Sequence, residues 1–412
     1  MDSFLKHILS SDKMARKNNL IIPVIRTLWL NRGITRKMLA ARLGISKVAI
    51  SKNIEPLIAD GIIEESRGPK EAPLKKSIPL NLKSGMFYSA GVLLSYEKAL
   101  IEIIDNNRKT IDSFPFEYDR NDGSGSCAGI AALIRDSLHK RGITSEFFVG
   151  TGISVPGIVD PETGAIEDTS LFRDRQSVPL KSIFKKTLDS RCVIMNTASM
   201  LARTEHMSGS AAGLSSFAYF TSGYGMGMFL NGHLYTGHQN NAGEVGFMQL
   251  SELGSVWRDG RTGTLGTLKP LWEVPAKVRE IASAGGCSSI AVELAGGDIA
   301  RIDHDTVRAA AAKGDRLCSQ LIAESFDYIG RAVVNIAYLL NPEVFFFEPW
   351  TASCEGCTLD IVRRHMKSYG VHNWKLHSEI SAAKCGYELL PSAAAELPVE
   401  NLFQSVKNVY NK

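Results

Sequence analysis

Three residues near the N-terminus, Ala40, Gly44 and Ile50, restrict the fold more than any other feature of the chain. A small residue lets two helices approach, a glycine permits the tight turn between them, and an isoleucine locks the second helix onto the first. The flanking pattern agrees. "TRKMLAARLGI" opens with Thr35 as a helix N-cap and places Leu39, Ala40 and Leu43 on one face. Gly44 ends that helix and Ser46 caps the next, "SKVAISKNIEPLIADG", where Ile50, Ile54, Leu57 and Ile58 form a single apolar stripe. An apolar helix, "NNLIIPVIRTLWLNRG", precedes both and stops at Gly33. After Gly61, "IIEESRGPKEAPLKKSIPLNL" reads as two short strands around a polar tip, so residues 1–82 are predicted to form a winged helix-turn-helix.

With Ile50 and Ile54 inward, Ser46, Lys47, Ser51 and Lys52 project outward near the N-terminus of the second helix. That end of a recognition helix reaches base edges, while lysines and hydroxyls also hold phosphates. Arg36, together with Lys70, Lys75 and Lys76 on the wing, completes the expected DNA-binding set. Charge divides in the same way. Residues 1–85 carry 16 Lys+Arg against 7 Asp+Glu, whereas the remainder carries 31 against 36. A basic head on a mildly acidic body places a polyanion at the head alone. A structural helical hairpin or a protein-docking module is the competing reading of this segment.

At 412 residues the chain exceeds one ordinary core, and two or three domains are expected. No apolar run reaches the roughly 18–20 residues needed to span a bilayer. The first residues lack the long apolar stretch of a secretion signal, so a cytoplasmic location without membrane attachment is expected. Seven scattered cysteines, an odd number, fit a reducing compartment. Cys354 and Cys357 are the only close pair and have no second ligand pair beside them, so no metal is expected there.

Beyond the head, strand-like and helix-like stretches alternate. "MFYSAGVLLSYEKALIEIID" reads as a β-hairpin, "FFVGTGISVP" and "CVIMN" as strands, and residues 180–189 and "TASMLARTEHMSG" as helices. The alternation continues through "SSFAYFTSGYGMGMFLNG" to "VVNIAYLLNPEVFFFE", which argues for an α/β body of two lobes with a cleft. Glycines 223, 225 and 227 alternate after an apolar run, as in a loop that turns backbone N–H groups toward a phosphate. Tyr224 and its bulky neighbours would crowd such a ligand.

The order "GISVPGIVDPETGAI", "VIMNTASMLA", "FTSGYGMGMFLNGHLYTGHQNNAGEVGF" and "LLNPEVFFFE" resembles the ROK family of repressors, open reading frames and sugar kinases. Together with the winged head, essentially the whole chain is similar to the ROK transcriptional regulators. The resemblance implies an actin-like ATPase fold. It also shows where this chain departs from the kinases of the family. Their acidic D-x-G-G-T loop corresponds to "GVLLSYE", with Leu93 in place of the aspartate. Their general base, an aspartate after asparagine, corresponds to Thr197 after Asn196, and a threonine hydroxyl cannot take a proton near neutral pH. Their Gly-Gly pair corresponds to Glu348-Pro349, which adds negative charge and removes an N–H donor. Tyr224 and Phe229 are expected to fill the vacated phosphate space. The family's zinc-binding histidine and cysteines correspond to Phe247 and "SVWRDGRTGTLGTL", so no metal is expected, and His233 and His238 read as surface or turn residues.

On the sugar side, Glu244 and Asn196 match the family's glutamate and asparagine, and Pro156-Gly157 matches the turn lining the cleft. These four are the effector-binding candidates, suited to the hydroxyls of a polyol. The expected organisation is a head over 1–82, lobes over 83–205 and 206–385, and a C-terminal helix over 386–412 that packs on the first lobe. The resemblance implies a non-enzymatic regulator without cofactor, probing double-stranded operator DNA as a homodimer and responding to a sugar or sugar phosphate. A tetramer, a sugar kinase with an added DNA-binding head, and a body that only dimerises or binds a protein are the alternatives.

Overall fold

The computed structural model describes residues 20–65, 78–168, 171–173, 177–252, 254, 256, 260–285, 289–369 and 377–410. The chain divides into two compact units, Met1–Asn196 with Leu390–Lys412, and Thr197–Leu389.

The first unit begins with α1 (Ile21–Leu30), β1 (Ile34–Thr35), α2 (Arg36–Leu43), α3 (Lys47–Ala59), β2 (Ile63–Glu65) and β3 (Pro79–Leu82). Both predicted caps form. Thr35 Oγ1 accepts from the Met38 N–H at 3.3 Å, and Ser46 Oγ accepts from the Ala49 N–H at 3.1 Å. Gly44 ends α2 with a φ of 67°, a left-handed conformation that strains any residue with a Cβ. Ile50, Ile54 and Leu57 are buried against Val24, Ile25 and Leu28 of α1, whereas Ile58 is only half-buried. The sheet has the order β1-β3-β2, one strand more than the sequence pattern shows. β1 pairs Ile34 with Leu80 and Thr35 with Pro79, a register that depends on residues more than forty positions away.

The body of this unit continues with β4 (Tyr88–Leu94), β5 (Ala99–Asp105), β6 (Thr110–Phe116), α4 (Gly123–Lys140), β7 (Phe148–Val155), β8 (Ile158–Val159), β9 (Ile166–Asp168), α5 (Leu180–Leu188) and β10 (Arg191–Asn196). Its main sheet has the order β10-β7-β4-β5-β6. β4, β5 and β6 form an antiparallel meander, and β7 and β10 run parallel to β4. Every residue of β7 is buried, which explains its apolar, unalternating sequence.

The second unit contains α6 (Thr197–Ser208), β11 (Phe217–Phe220), β12 (Met226–Leu230), β13 (His233–Tyr235), α7 (Val274–Ser283), α8 (Ile290–Leu294), α9 (His304–Ala312), α10 (Arg316–Leu340), β14 (Val344–Phe347), α11 (Leu359–Tyr369) and β15 (Glu379–Ala382). Its sheet has the order β13-β12-β11-β14-β15, with β11, β14 and β15 parallel. The 25-residue α10 is capped by Asp315 and buries Phe326, Ile329 and Val333 in the same core as Phe345 and Phe347 of β14.

The chain returns to the first unit with α12 (Leu390–Ala395) and α13 (Leu397–Tyr410). α12 lies so close to the main sheet that two glycines are required beneath it. A Cβ at Gly91 would stand 1.7 Å from the Pro391 carbonyl oxygen, and one at Gly152 would stand 1.8 Å from that of Ala394. Val399, Leu402 and Phe403 of α13 share one apolar core with α1, α3 and β3. Head and body of this unit therefore have a common hydrophobic interior.

Candidate nucleic-acid interface, effector residues and a closed phosphate loop

The α2–turn–α3 geometry turns one face of α3 to solvent. Lys47, Val48, Lys52 and Glu55 are exposed on it, and together with Ser51 they line one shallow surface depression. Ser46 spends a lone pair on the cap. Arg36 Nη1 donates to Ser51 Oγ at 3.3 Å, and its Nη2 pairs with Glu65 Oε1 at 2.7 Å. Arg36 thus bridges α2, α3 and β2, and two members of the sequence-derived set are brought into direct contact. Lys70, Lys75 and Lys76 lie outside the described residues.

A second polar joint ties the head to the body of the first unit. Arg108, in the β5–β6 turn, donates from Nε to Glu396 Oε1 at 2.6 Å and from Nη1 to the Trp29 carbonyl at 3.3 Å. Its guanidinium also stands 5.0 Å from the centre of the Trp29 ring, which in turn meets Phe403 with centroids 5.7 Å apart. Asn106 fastens the linker by donating to the Lys83 carbonyl and accepting from the Met86 N–H. Burial and the positive charge of Arg108 hold the nearby Arg32 below the usual guanidinium range. Nothing in the local sequence marks Arg108 or Asn106, because their partners lie far along the chain.

Of the effector candidates, three meet in the first unit. Asn196, at the end of β10, donates from Nδ2 to the Gly157 carbonyl at 2.9 Å and so pins the Pro156-Gly157 turn that follows β7. All three are half-buried. Glu244 belongs to the second unit, is half-buried, and directly precedes a 3-10 turn over Val245–Phe247. Its backbone position is fixed by Gly243, where a Cβ would approach the Met226 carbonyl oxygen to 1.9 Å. Phe247 carries the Arg261 guanidinium over its ring at 4.4 Å. His233 and His238 are exposed.

The glycine loop after β11 is already filled from within. Ser222 donates to Glu348 from its backbone N–H and from Oγ, both at 2.6 Å. Trp350 Nε1 donates to the same carboxylate at 2.8 Å and the Tyr387 hydroxyl at 3.2 Å. Arg308 lies 3.7 Å from Glu348 and is stacked on Trp350 at 4.7 Å. Glu348 is 3% exposed. Two more N–H groups of the loop are engaged within it: Tyr224 donates to the Thr221 carbonyl at 3.0 Å and Gly225 to Thr221 Oγ1 at 3.1 Å. The remaining cavity between Ser222, Phe326, Glu348 and Trp350 measures about 10 Å³, hardly room for one water. The buried Glu348 carboxylate therefore fills the interior of this loop.

Tyr224 closes the neighbouring space. Its hydroxyl accepts from the Leu271 N–H at 3.0 Å, its ring meets Trp272 edge-on at 5.0 Å, and burial pushes its phenol well above the usual range. Phe229 does not share this role, contrary to the sequence-based expectation. It lies on β12 opposite Phe217, at the end of the β11–β12 ladder away from the loop, and stacks on Phe217 at 4.9 Å and on His206 at 4.5 Å. Strand alternation turned it to the α6 face, which inspection of a Gly-rich stretch does not reveal. Leu93 is buried within β4, and the segment after it is a hairpin turn in which Ser95 bonds Lys98. Thr197 is buried as the first residue of α6.

A winged helix-turn-helix joined to α/β units with two such five-stranded sheets defines the ROK type of actin-like fold. Residues 127–388 match the ROK family, and the chain belongs to it. It is 25% identical over 331 residues to the xylose repressor of Caldicellulosiruptor bescii, covering 78% of this chain and 80% of that one. It is 23% identical over 315 residues to the DNA-binding transcriptional dual regulator NagC of Escherichia coli, covering 75% of each. Among solved structures, a ROK family transcriptional regulator, homolog of E. coli Mlc, superposes with a TM-score of 0.73 at 18% identity, covering 93% of this chain and 95% of the other.

Proposed function

We propose that this chain is a DNA-binding transcription regulator, a repressor in sign, whose ROK body responds to a sugar, sugar phosphate or related metabolite. The observation that carries this is the exposed face of α3, where Lys47 and Lys52 flank the N-terminal turn of a capped recognition helix beside a wing. The xylose repressor and the dual regulator NagC, each aligned over about three quarters of the chain, support the same reading. Double-stranded operator DNA is the partner of the head, and a homodimer would set two α3 helices in successive major grooves. Asn196 with the Pro156-Gly157 turn, and Glu244 in the second unit, are the groups assigned to the effector's hydroxyls. Effector binding shifts the spacing of the two heads, and a coupling of about 1–3 kcal/mol corresponds to roughly 5–150-fold regulation.

The body is not a kinase in this reading. Thr197 cannot serve as the base, Leu93 replaces an acidic loop residue, and Glu348 occupies the loop that would hold phosphate. No helix among the described residues is long and apolar enough to cross a membrane.

The deciding experiment measures operator binding by the full chain and by a Lys47→Ala/Lys52→Ala variant over a range of salt. Loss of two phosphate contacts per protomer flattens the slope of log Kobs against log[salt] by about 1 per contact. An unaltered slope and affinity would remove the head from DNA. ADP release from Mg-ATP with any sugar of a panel would refute the non-kinase assignment, and a thermal shift with one sugar would identify the effector class.

A further inference from the structure

Val48 is 79% exposed, although it sits in the first turn of a helix whose other aliphatic side chains are largely buried. At about 100° per residue, Val48, Ser51, Lys52 and Glu55 fall within one outward arc of roughly 100°, opposite Ile50, Ile54 and Leu57. The same residues, with Lys47, line the depression on this face. An isopropyl group therefore stands in the middle of a polar, partly cationic surface, with its apolar area in water.

The surroundings narrow what can cover it. Lys47 and Lys52 flank it and favour a polyanion. Glu55 lies in the same depression and disfavours a phosphate seated there, so the depression fits base edges. In the major groove the apolar feature of a base edge is the C5-methyl group of thymine. Ser51 is engaged by Arg36 at 3.3 Å, which leaves Val48 as the protruding, unengaged group at the centre of the arc.

Resting on the regulator reading above, we propose that Val48 is a specificity-determining residue that packs its isopropyl group on a thymine C5-methyl in each operator half-site. The inference adds a base-reading role to a residue that the helix pattern does not select, and it assigns a thymine to the position that α3 reads with its first turn.

The test uses the full chain. Operators are selected from a pool of random duplexes, and each thymine of the selected site is replaced in turn by uracil, which lacks only the methyl group. Wild type is expected to lose about fourfold in affinity at one thymine per half-site, the worth of one buried methyl. Val48→Ala is expected to bind the thymine and uracil forms of that position equally, with an unfolding midpoint equal to that of wild type. Indifference of wild type to every uracil substitution overturns the assignment while leaving DNA binding intact. Retention of the full uracil penalty by Val48→Ala overturns it as well. Failure to enrich any duplex refutes both this assignment and the regulator reading.

Discussion

Replacing Glu348 with alanine removes the acceptor of four hydrogen bonds in an interior with hardly room for one water. The Ser222 N–H and Oγ at 2.6 Å, Trp350 Nε1 at 2.8 Å and the Tyr387 hydroxyl at 3.2 Å lose this acceptor, although Trp350 Nε1 keeps its bond to Ser222 Oγ at 3.2 Å, and Arg308 loses the nearby charge at 3.7 Å. A hydrogen bond to a charged group contributes about 1.5–3 kcal/mol, but the four share one carboxylate and do not add. Breaking a buried, hydrogen-bonded charge cluster costs about 3–5 kcal/mol. Arg308 is 30% exposed and keeps Asp305 at 3.5 Å, which places the expected loss at the lower end, about 3–4 kcal/mol. For a unit of this size, each kcal/mol lowers the unfolding midpoint by roughly 2–4 °C, so the second unit should melt roughly 6–16 °C earlier. Glu348→Gln retains one acceptor but turns its NH₂ toward other donors, and should lose about half as much. Differential scanning calorimetry of the full chain measures both variants, because the two units can unfold as separate transitions. A drop below 1 °C for the alanine variant would show that the carboxylate does not hold this loop together.

Three further outcomes are expected. Gly91→Ala drives a Cβ against the Pro391 carbonyl and forces α12 off the sheet, which should cost at least about 2 kcal/mol in urea unfolding, whereas Gly142→Ala, with open space around it, tests only backbone strain. Burial pushes the Asp315 carboxyl up, but bonds from the Cys318 N–H, Ser289 Oγ and Ile290 N–H outweigh it and hold the group below the usual carboxylate range. Its stabilisation is therefore fully present above the unfolded value of about 4 and is lost as pH falls through the lower folded value; Asp315→Asn should flatten the acid limb of a stability–pH curve. Arg108→Ala opens the joint with Trp29 and Glu396, and hydrogen exchange should rise in α1 and the α12–α13 turn while the second unit is unaffected.

How much was legible from sequence varies with the distance between partners. The Thr35 and Ser46 caps, the Gly44 turn and the Ile50–Ile54–Leu57 stripe are local, and each follows from residues within a few positions of one another. Asn196 was identifiable by its motif, but its bond to the Gly157 carbonyl requires β7 and β10 to lie side by side. Arg36 stands in the expected DNA-binding set, and its contacts with Ser51 and Glu65 across α2, α3 and β2 follow only from the fold. Phe229 is expected beside Tyr224 in the vacated phosphate space, and strand alternation places it instead against Phe217 and His206.

By itself the sequence determined the head: short-range caps, a glycine in a left-handed turn and a 3.6-residue apolar period specify those helices without reference to the rest of the chain. It also determined, through the motif order, that the body would be of the ROK type. Only the tertiary structure decided what fills the glycine loop, because Glu348 reaches Ser222 across 126 positions. It alone fixed the head on its body, through an Arg108–Glu396 contact spanning 288 positions. Such contacts depend on how separate elements pack, and no local pattern of side chains encodes the distance between them.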